Sequence, residues 1–159
     1  MSLKLPKPFG KIIHDAFNFK GFDIMEAYVD EMEHDLSNCD AKGLRKFLGI
    51  GKSDSVCDCF CKIIIVGKGE KNIIFEHKNS KHQKRFQDAI KQLEKTSILL
   101  KNKNINVDIA VILKVSVEKP FITQSDFHLL PPFKPVYVKI NHRQVFLENS
   151  NKKIPLMHY

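Results

Sequence analysis

Ile73-Ile74-Phe75-Glu76-His77-Lys78, read together with Val56-Cys57-Asp58-Cys59-Phe60, decides how this chain folds. Ile73 to Phe75 is an apolar, β-prone run that ends in an acid and a base two residues apart. Alternate side chains of a strand share a face, so Glu76 and Lys78 project together. Lys62 to Val66 is a second β-prone run, and Gly67 to Asn72 between the two is rich in turn residues. An antiparallel hairpin folds Cys57–Val66 back along Ile73–Lys78 and brings Asp58 alongside Glu76 at its open end. Two facing carboxylates offer the hard oxygen ligands that Mg²⁺ takes. A neighbouring lysine can stabilise charge developing on a phosphate.

Outward from the hairpin, a polar loop, Asn79-Ser80-Lys81, leads into a helix from about His82 to Lys101, with Ser80 placed to cap it. Phe86, Ala89, Ile90, Leu93, Ser97 and Leu100 recur at helical spacing and predict its buried stripe. Lys81, His82, Lys84 and Arg85 load the first turn with positive charge, against the helix dipole. Phosphate contact is one compensation, since the same end presents free backbone N–H groups; an exposed basic cluster is the other reading. Val107 to Val115 then reads as a buried strand, and strand–helix–strand predicts a parallel crossover.

The order acid, strand, turn, strand, Glu-x-Lys, amphipathic helix, strand resembles the PD-(D/E)xK nuclease superfamily. That superfamily includes restriction enzymes, RecB-like nucleases and archaeal Holliday-junction resolvases. The resemblance covers roughly Gly21 to Val115. It implies a restriction-endonuclease-like α/β domain in which a mixed central sheet, an antiparallel hairpin plus a parallel crossover strand, is flanked by helices. It also implies a metal-dependent nuclease hydrolysing DNA phosphodiester bonds with Mg²⁺ or Mn²⁺. Asp58 and Glu76 would hold the metal with the carbonyl of His77, and Lys78 would stabilise charge or position the water. Lys81, His82, Lys84 and Arg85 would contact nucleic acid. In such nucleases a preceding helix often adds an acid, which makes Glu26 a candidate, with Glu31 as its alternative. A glutamine of the following helix often approaches the site; Gln87 is preferred here over Gln83 and Gln92. Resolvase-like relatives act as homodimers. The alternative is a non-catalytic nucleic-acid-binding or protein-interaction module on the same fold.

Length and composition bound the rest. The 159 residues suit one domain, 1–159, with a core over about 21–115, a C-terminal hairpin extension over about 121–148 and a loose tail, 149–159. A hydrophobic share of 43% with 28% charged residues is ordinary for a globular protein. No apolar run approaches a membrane span, and Met1 to Gly10 lacks the apolar core of a secretory signal. The expectation is a cytoplasmic, intracellular protein without a membrane partner. A formal net charge of +8 favours a polyanionic partner, nucleic acid, as readily as simple solubility.

Elsewhere the pattern is coarser. A short helix is expected around Ile12 to Phe17. Asp23 is placed to cap a helix through about Leu36, with Met25, Tyr28, Val29, Met32 and Leu36 as its buried stripe. Ser37 to Lys42 reads as a turn, and Leu44 to Ile50 as an irregular or strand-like piece. Asp54, in the polar loop Lys52 to Ser55, is a second candidate for the metal acid. A short segment around Ser125 to Leu130 precedes the breaker Pro131-Pro132-Phe133-Lys134-Pro135, and Val136–Ile140 with Gln144–Leu147 reads as a hairpin.

Cys57, Cys59 and Cys61 alternate on one strand face, opposite Asp58 and Phe60, about 7 Å apart and too spread to grip one metal. The iron–sulfur clusters of some RecB-like relatives need a cysteine spacing that is absent here, so these thiols and Cys39 read as small hydrophobes. The seven histidines form no His-x-x-x-His pair, which argues against a zinc hydrolase.

Overall fold

The computed structural model describes residues 3–6, 22–65, 67, 69–78, 83–114, 135–141, 144–149 and 152–155. In chain order these form β1 (Phe22–Val29), β2 (Lys42–Gly43), α1 (Leu44–Leu48), β3 (Cys59–Ile65), β4 (Gly69–Lys78), α2 (Gln83–Lys101), β5 (Ile109–Lys114), β6 (Pro135–Asn141), β7 (Gln144–Asn149) and β8 (Lys152–Pro155). The strands build one mixed, open sheet in the order β2-β1-β3-β4-β5-β6-β7-β8. β1, β3 and β4 are successively antiparallel, while β5 lies parallel to β4 after the crossover through α2. The chain is thus a small α/β domain. The expected helix at 12–17, the segment at 125–130 and the cap Ser80 lie outside the described residues.

The β3–β4 hairpin forms because both of its strands are buried on both faces. Phe60 and Ile74 lie beneath α2, with Tyr28, Ala110, Ala89, Ile90, Leu93 and Leu100. Cys59, Cys61, Ile63, Ile73 and Phe75 are buried on the opposite face. Such strands read as nearly continuous apolar runs rather than alternating ones. Burying a side chain such as Phe60 contributes about 1.5–3 kcal/mol. The turn is tighter than the glycine-rich stretch suggested. Pairing runs as far as Ile65 opposite Gly69, and Gly67 and Gly69 take φ of 83° and 81°, which favour glycine. A second set of bonds fixes the parallel register. Asp108 N–H donates to the Asn72 carbonyl (2.9 Å), and Asn72 N–H donates back to Asp108 Oδ2 (2.8 Å).

Several expectations are corrected. Phe22–Val29 is a strand, not the first part of a helix through Leu36, and Met25 and Met32 of the expected stripe are about half exposed. Pairing with β3 along its length outweighs a helical spacing that local sequence alone favoured. Leu44–Leu48 is a helix, not a strand-like piece. Gly49, at φ 69°, closes it: Gly49 N–H donates to the Lys46 carbonyl and Ile50 N–H to the Arg45 carbonyl, the usual left-handed helix ending. On α2 Thr96 is buried, whereas Ser97 is only partly buried. The tail is paired, not loose, over Lys152–Pro155, where β8 completes a ladder with β7. Cys57 packs into the core beneath α2, because it precedes the regular strand, and does not share a face with Cys59 and Cys61.

All four cysteines are free, and only Cys39 is not fully buried. Burial, and secondarily the nearby Glu76 charge, pushes the Cys57 thiol well up; burial and Cys61 do the same for Cys59. A thiol that stays protonated is a poor nucleophile. A thiol-reactive dye at neutral pH should therefore label one cysteine promptly in the native protein and all four in denaturant. Fast native labelling of Cys57 or Cys59 would contradict this core.

Candidate active site

The antiparallel register places three carboxylates in one row. Val29 pairs with Cys59 and Cys59 with Phe75 where the ladders end; one residue further on stand Asp30, just after β1, Asp58, just before β3, and Glu76 of β4. Asp30 N–H donates to the Asp58 carbonyl at 2.9 Å, continuing the ladder. Asp58 and Glu76 both line a cavity of about 430 Å³ beyond the end of the α2 core, along with Asp30, Glu33 and Asp54. Its other polar walls are His34, Arg45, Lys52, Ser53, Ser55 and Gln92. Glu76 is only 3% exposed. A carboxylate that deep must be held by partners rather than by solvent.

Local structure explains how each wall arises. At the end of β1, Asp30 turns the chain: its Oδ1 accepts from Met32 N–H (3.0 Å), and its carbonyl accepts from His34 N–H (3.1 Å). That turn carries His34 to Asp58, with Nε2 3.8 Å from Oδ1 and both side chains largely buried. From α1, Arg45 donates through Nε to Asp30 Oδ1 (2.7 Å) and through Nη2 to Oδ2 (3.3 Å). Its Nη1 donates to the carbonyls of Gly51 (2.8 Å) and Asp54 (2.6 Å), fixing the loop that forms the cavity mouth. The Asp30 carboxylate raises the Arg45 pKa further. From α2, Thr96 Oγ1 accepts from Cys57 N–H (2.7 Å) and donates to the Gln92 carbonyl (2.8 Å). The residue preceding Asp58 is thereby pinned to the helix.

The residues expected from sequence fare differently. Asp58 and Glu76 are brought together. Glu26 is not: it sits on the same face of β1 but opposite Lys62, four residues short of the row. There its Oε2 accepts from the Tyr28 hydroxyl (2.8 Å) and lies 3.7 Å from Lys62 Nζ. The Tyr28 hydrogen bond and the lysines hold its pKa down, and the same bond, after burial, helps push Tyr28 up to about 12. Glu31 is occupied elsewhere, accepting from Arg45 and Lys46 N–H at the start of α1. Asp54 Oδ2 accepts from Gly51 N–H (3.1 Å), and Oδ1 faces Lys95 at 3.7 Å, so this acid serves its own loop. On the helix, Gln92 reaches the cavity.

The backbones of His77 and Lys78 end β4, opposite Leu113 and Lys114, and Lys84, Arg85 and Gln87 lie in the first two turns of α2. The side chains of these five lie outside the described residues, as do Lys81 and His82 altogether. Asp30, His34 and Arg45 escaped the sequence reading. Period-two alternation from Tyr28 could have found Asp30 once β1 was known to be a strand.

The donor set suits a hard divalent cation. Among the described residues no three His, Cys, Asp or Glu side chains gather as a metal cage. Mg²⁺, however, is commonly held by one or two carboxylates, with waters and substrate phosphate oxygens completing its shell. Asp58 and Glu76 offer two carboxylates to one cavity. Beside them Gln92 Oε1 is buried and has no hydrogen-bond partner among the described residues.

No protein family, curated protein or solved structure is matched by this chain. Among the described residues no helix is long and apolar enough to cross a membrane.

Proposed function

We propose that this chain is a metal-dependent nuclease that hydrolyses DNA phosphodiester bonds inside the cell, built on a restriction-endonuclease-like core. The observation that carries the reading is one shared cavity: Asp58, immediately before β3, and Glu76, on the antiparallel neighbour β4 one residue beyond the Cys59–Phe75 pair, both line it. The crossover through α2 to a strand parallel to β4 supports it, because the PD-(D/E)xK resemblance implies that arrangement. The net charge of +8 suits a polyanionic substrate.

Asp58 and Glu76 hold Mg²⁺ or Mn²⁺, with the His77 carbonyl as a further oxygen ligand. Bound there, the ion supplies Lewis acidity and a water of lowered pKa. The chain's own residues do the remaining work. Lys78 stabilises charge developing on the phosphate. Lys81, His82, Lys84 and Arg85 bind flanking phosphates without reading sequence, since phosphate contacts position rather than specify. His34 and the Arg45-clamped loop keep the Asp58 side of the cavity in place.

The decisive experiment offers single-stranded, duplex and branched DNA, and RNA, with Mg²⁺ or Mn²⁺ against EDTA. Metal-dependent cleavage of DNA is expected. A protein that binds DNA yet cleaves none of these with either metal is a binding module instead.

A further inference from the structure

The loop between α1 and β3 contributes Lys52, Ser53 and Ser55 to the wall of the cavity that Asp58 and Glu76 line. Its backbone is held at both ends. Arg45 Nη1 donates to the Gly51 and Asp54 carbonyls (2.8 and 2.6 Å), and Gly51 N–H donates to Asp54 Oδ2 (3.1 Å). At the far end Cys57 N–H donates to Thr96 Oγ1 of α2 (2.7 Å). The side chains are a different matter. Lys52, Ser53 and Ser55 are all exposed, and none of the three side chains makes a hydrogen bond or ion pair among the described residues.

The charge around them gives such a loop a use. Asp30, Glu33, Asp54, Asp58 and Glu76 all line the cavity. Arg45 offsets Asp30 at 2.7 Å, and Lys95 Nζ stands 3.7 Å from Asp54 Oδ1. The other acids repel an entering phosphate, and a divalent cation on Asp58 and Glu76 offsets only those two. Among the described residues Lys52 is the lining lysine or arginine that is in no ion pair. A lysine ammonium binds phosphate as a point charge, and the two serine hydroxyls add neutral donors. Because the backbone that carries them is already fixed, little ordering opposes the contact.

We propose that the loop at 51–55 holds a substrate phosphate adjoining the one that is cleaved, with Lys52 as its charge partner and Ser53 and Ser55 as further donors. Depth separates the two phosphates: Glu76 is 3% exposed, whereas Lys52 is exposed. The inference rests on the nuclease reading and adds to it a phosphate subsite distinct from the basic start of α2. A contact made alike before and during the reaction changes KM and leaves kcat in place.

Steady-state cleavage with Mg²⁺, and fluorescence anisotropy of labelled duplex DNA in EDTA across a salt series, test it in the wild type, Lys52→Met and Lys52→Arg. Lys52→Met keeps most of the stem and removes the charge. It should raise KM about tenfold, the scale of one charge-assisted hydrogen bond, with kcat held within about twofold. Its salt slope should fall by about 0.9, one phosphate contact on duplex. The loss should be the same on DNA of different sequences, since phosphate contacts carry no sequence information. Lys52→Arg should retain the wild-type KM and slope, and neither variant should move the melting temperature. An unchanged KM and slope in Lys52→Met while the wild type cleaves overturns the subsite and leaves the nuclease reading intact. So does an equal loss in Lys52→Arg, which would make the lysine's shape and not its charge the cause. A wild type that cleaves no DNA overturns both.

Discussion

Glu76→Gln should lower metal-dependent DNA hydrolysis by roughly a thousandfold, the scale on which removing one charge-stabilising group from a water-poor site acts. The change keeps the side chain's shape in a place where only 3% of the residue is exposed, so packing is preserved while a formal charge leaves the ligand set. DNA binding measured in EDTA should hold or tighten, because a carboxylate no longer faces the phosphates. The melting temperature should hold or rise, since Asp58 and Glu76 line the same cavity and like charges repel. Mn²⁺ should raise the melting temperature of the wild type and do so less in the variant, a readout independent of turnover. If Glu76→Gln cleaves as fast as the wild type, the activity resides elsewhere in the chain.

The largest stability effect should come from Arg45→Met. Arg45 neutralises Asp30, which is only 2% exposed, and its remaining donors satisfy the Gly51 and Asp54 carbonyls. Removing one member of a buried ion pair leaves an uncompensated charge and typically costs about 3–5 kcal/mol. Adding Asp30→Asn to Arg45→Met should return part of that loss, because the orphaned charge is gone, though Met32 N–H keeps only an amide oxygen to donate to. Urea unfolding of the wild type, both single variants and the double variant measures the coupling. A loss below about 1 kcal/mol in Arg45→Met, the range of an exposed pair, would show that the clamp is not what holds the cavity mouth. Cleavage should fall as well, since the loop at 51–54 would lose its hydrogen bonds from Arg45 to the Gly51 and Asp54 carbonyls.

How legible the chain was depends on how local each signal is. Ile73 to Lys78 and Lys62 to Val66 announce a hairpin in their own composition, and a one-residue slip would throw every side chain to the wrong face. The approach of Asp58 and Glu76 at the end of the hairpin could therefore be counted out from the sequence. The stripe Ala89, Ile90, Leu93 and Leu100 likewise announces α2, and the apolar run after Val107 announces β5. β1 was not legible. Tyr28, Val29 and Met32 fit a helical stripe as well as a strand, and only pairing with β3 on one side and β2 on the other decides between them. Once β1 is a strand, Glu26 moves to the middle of the sheet and Asp30 takes the place beside Asp58.

Sequence by itself determined the hairpin, the crossover and the two carboxylates at its open end, because alternation and helical period are properties of neighbouring residues. Tertiary structure alone decided what surrounds those carboxylates. His34 reaches Asp58 from 24 residues away in the chain, Arg45 spans from α1 to Asp30 and the 51–54 loop, and Thr96 ties the residue before Asp58 to α2. Each is a long-range polar contact made by a single side chain. Its partner is set by the distance and direction left when the sheet has closed, and no spacing along the chain encodes that.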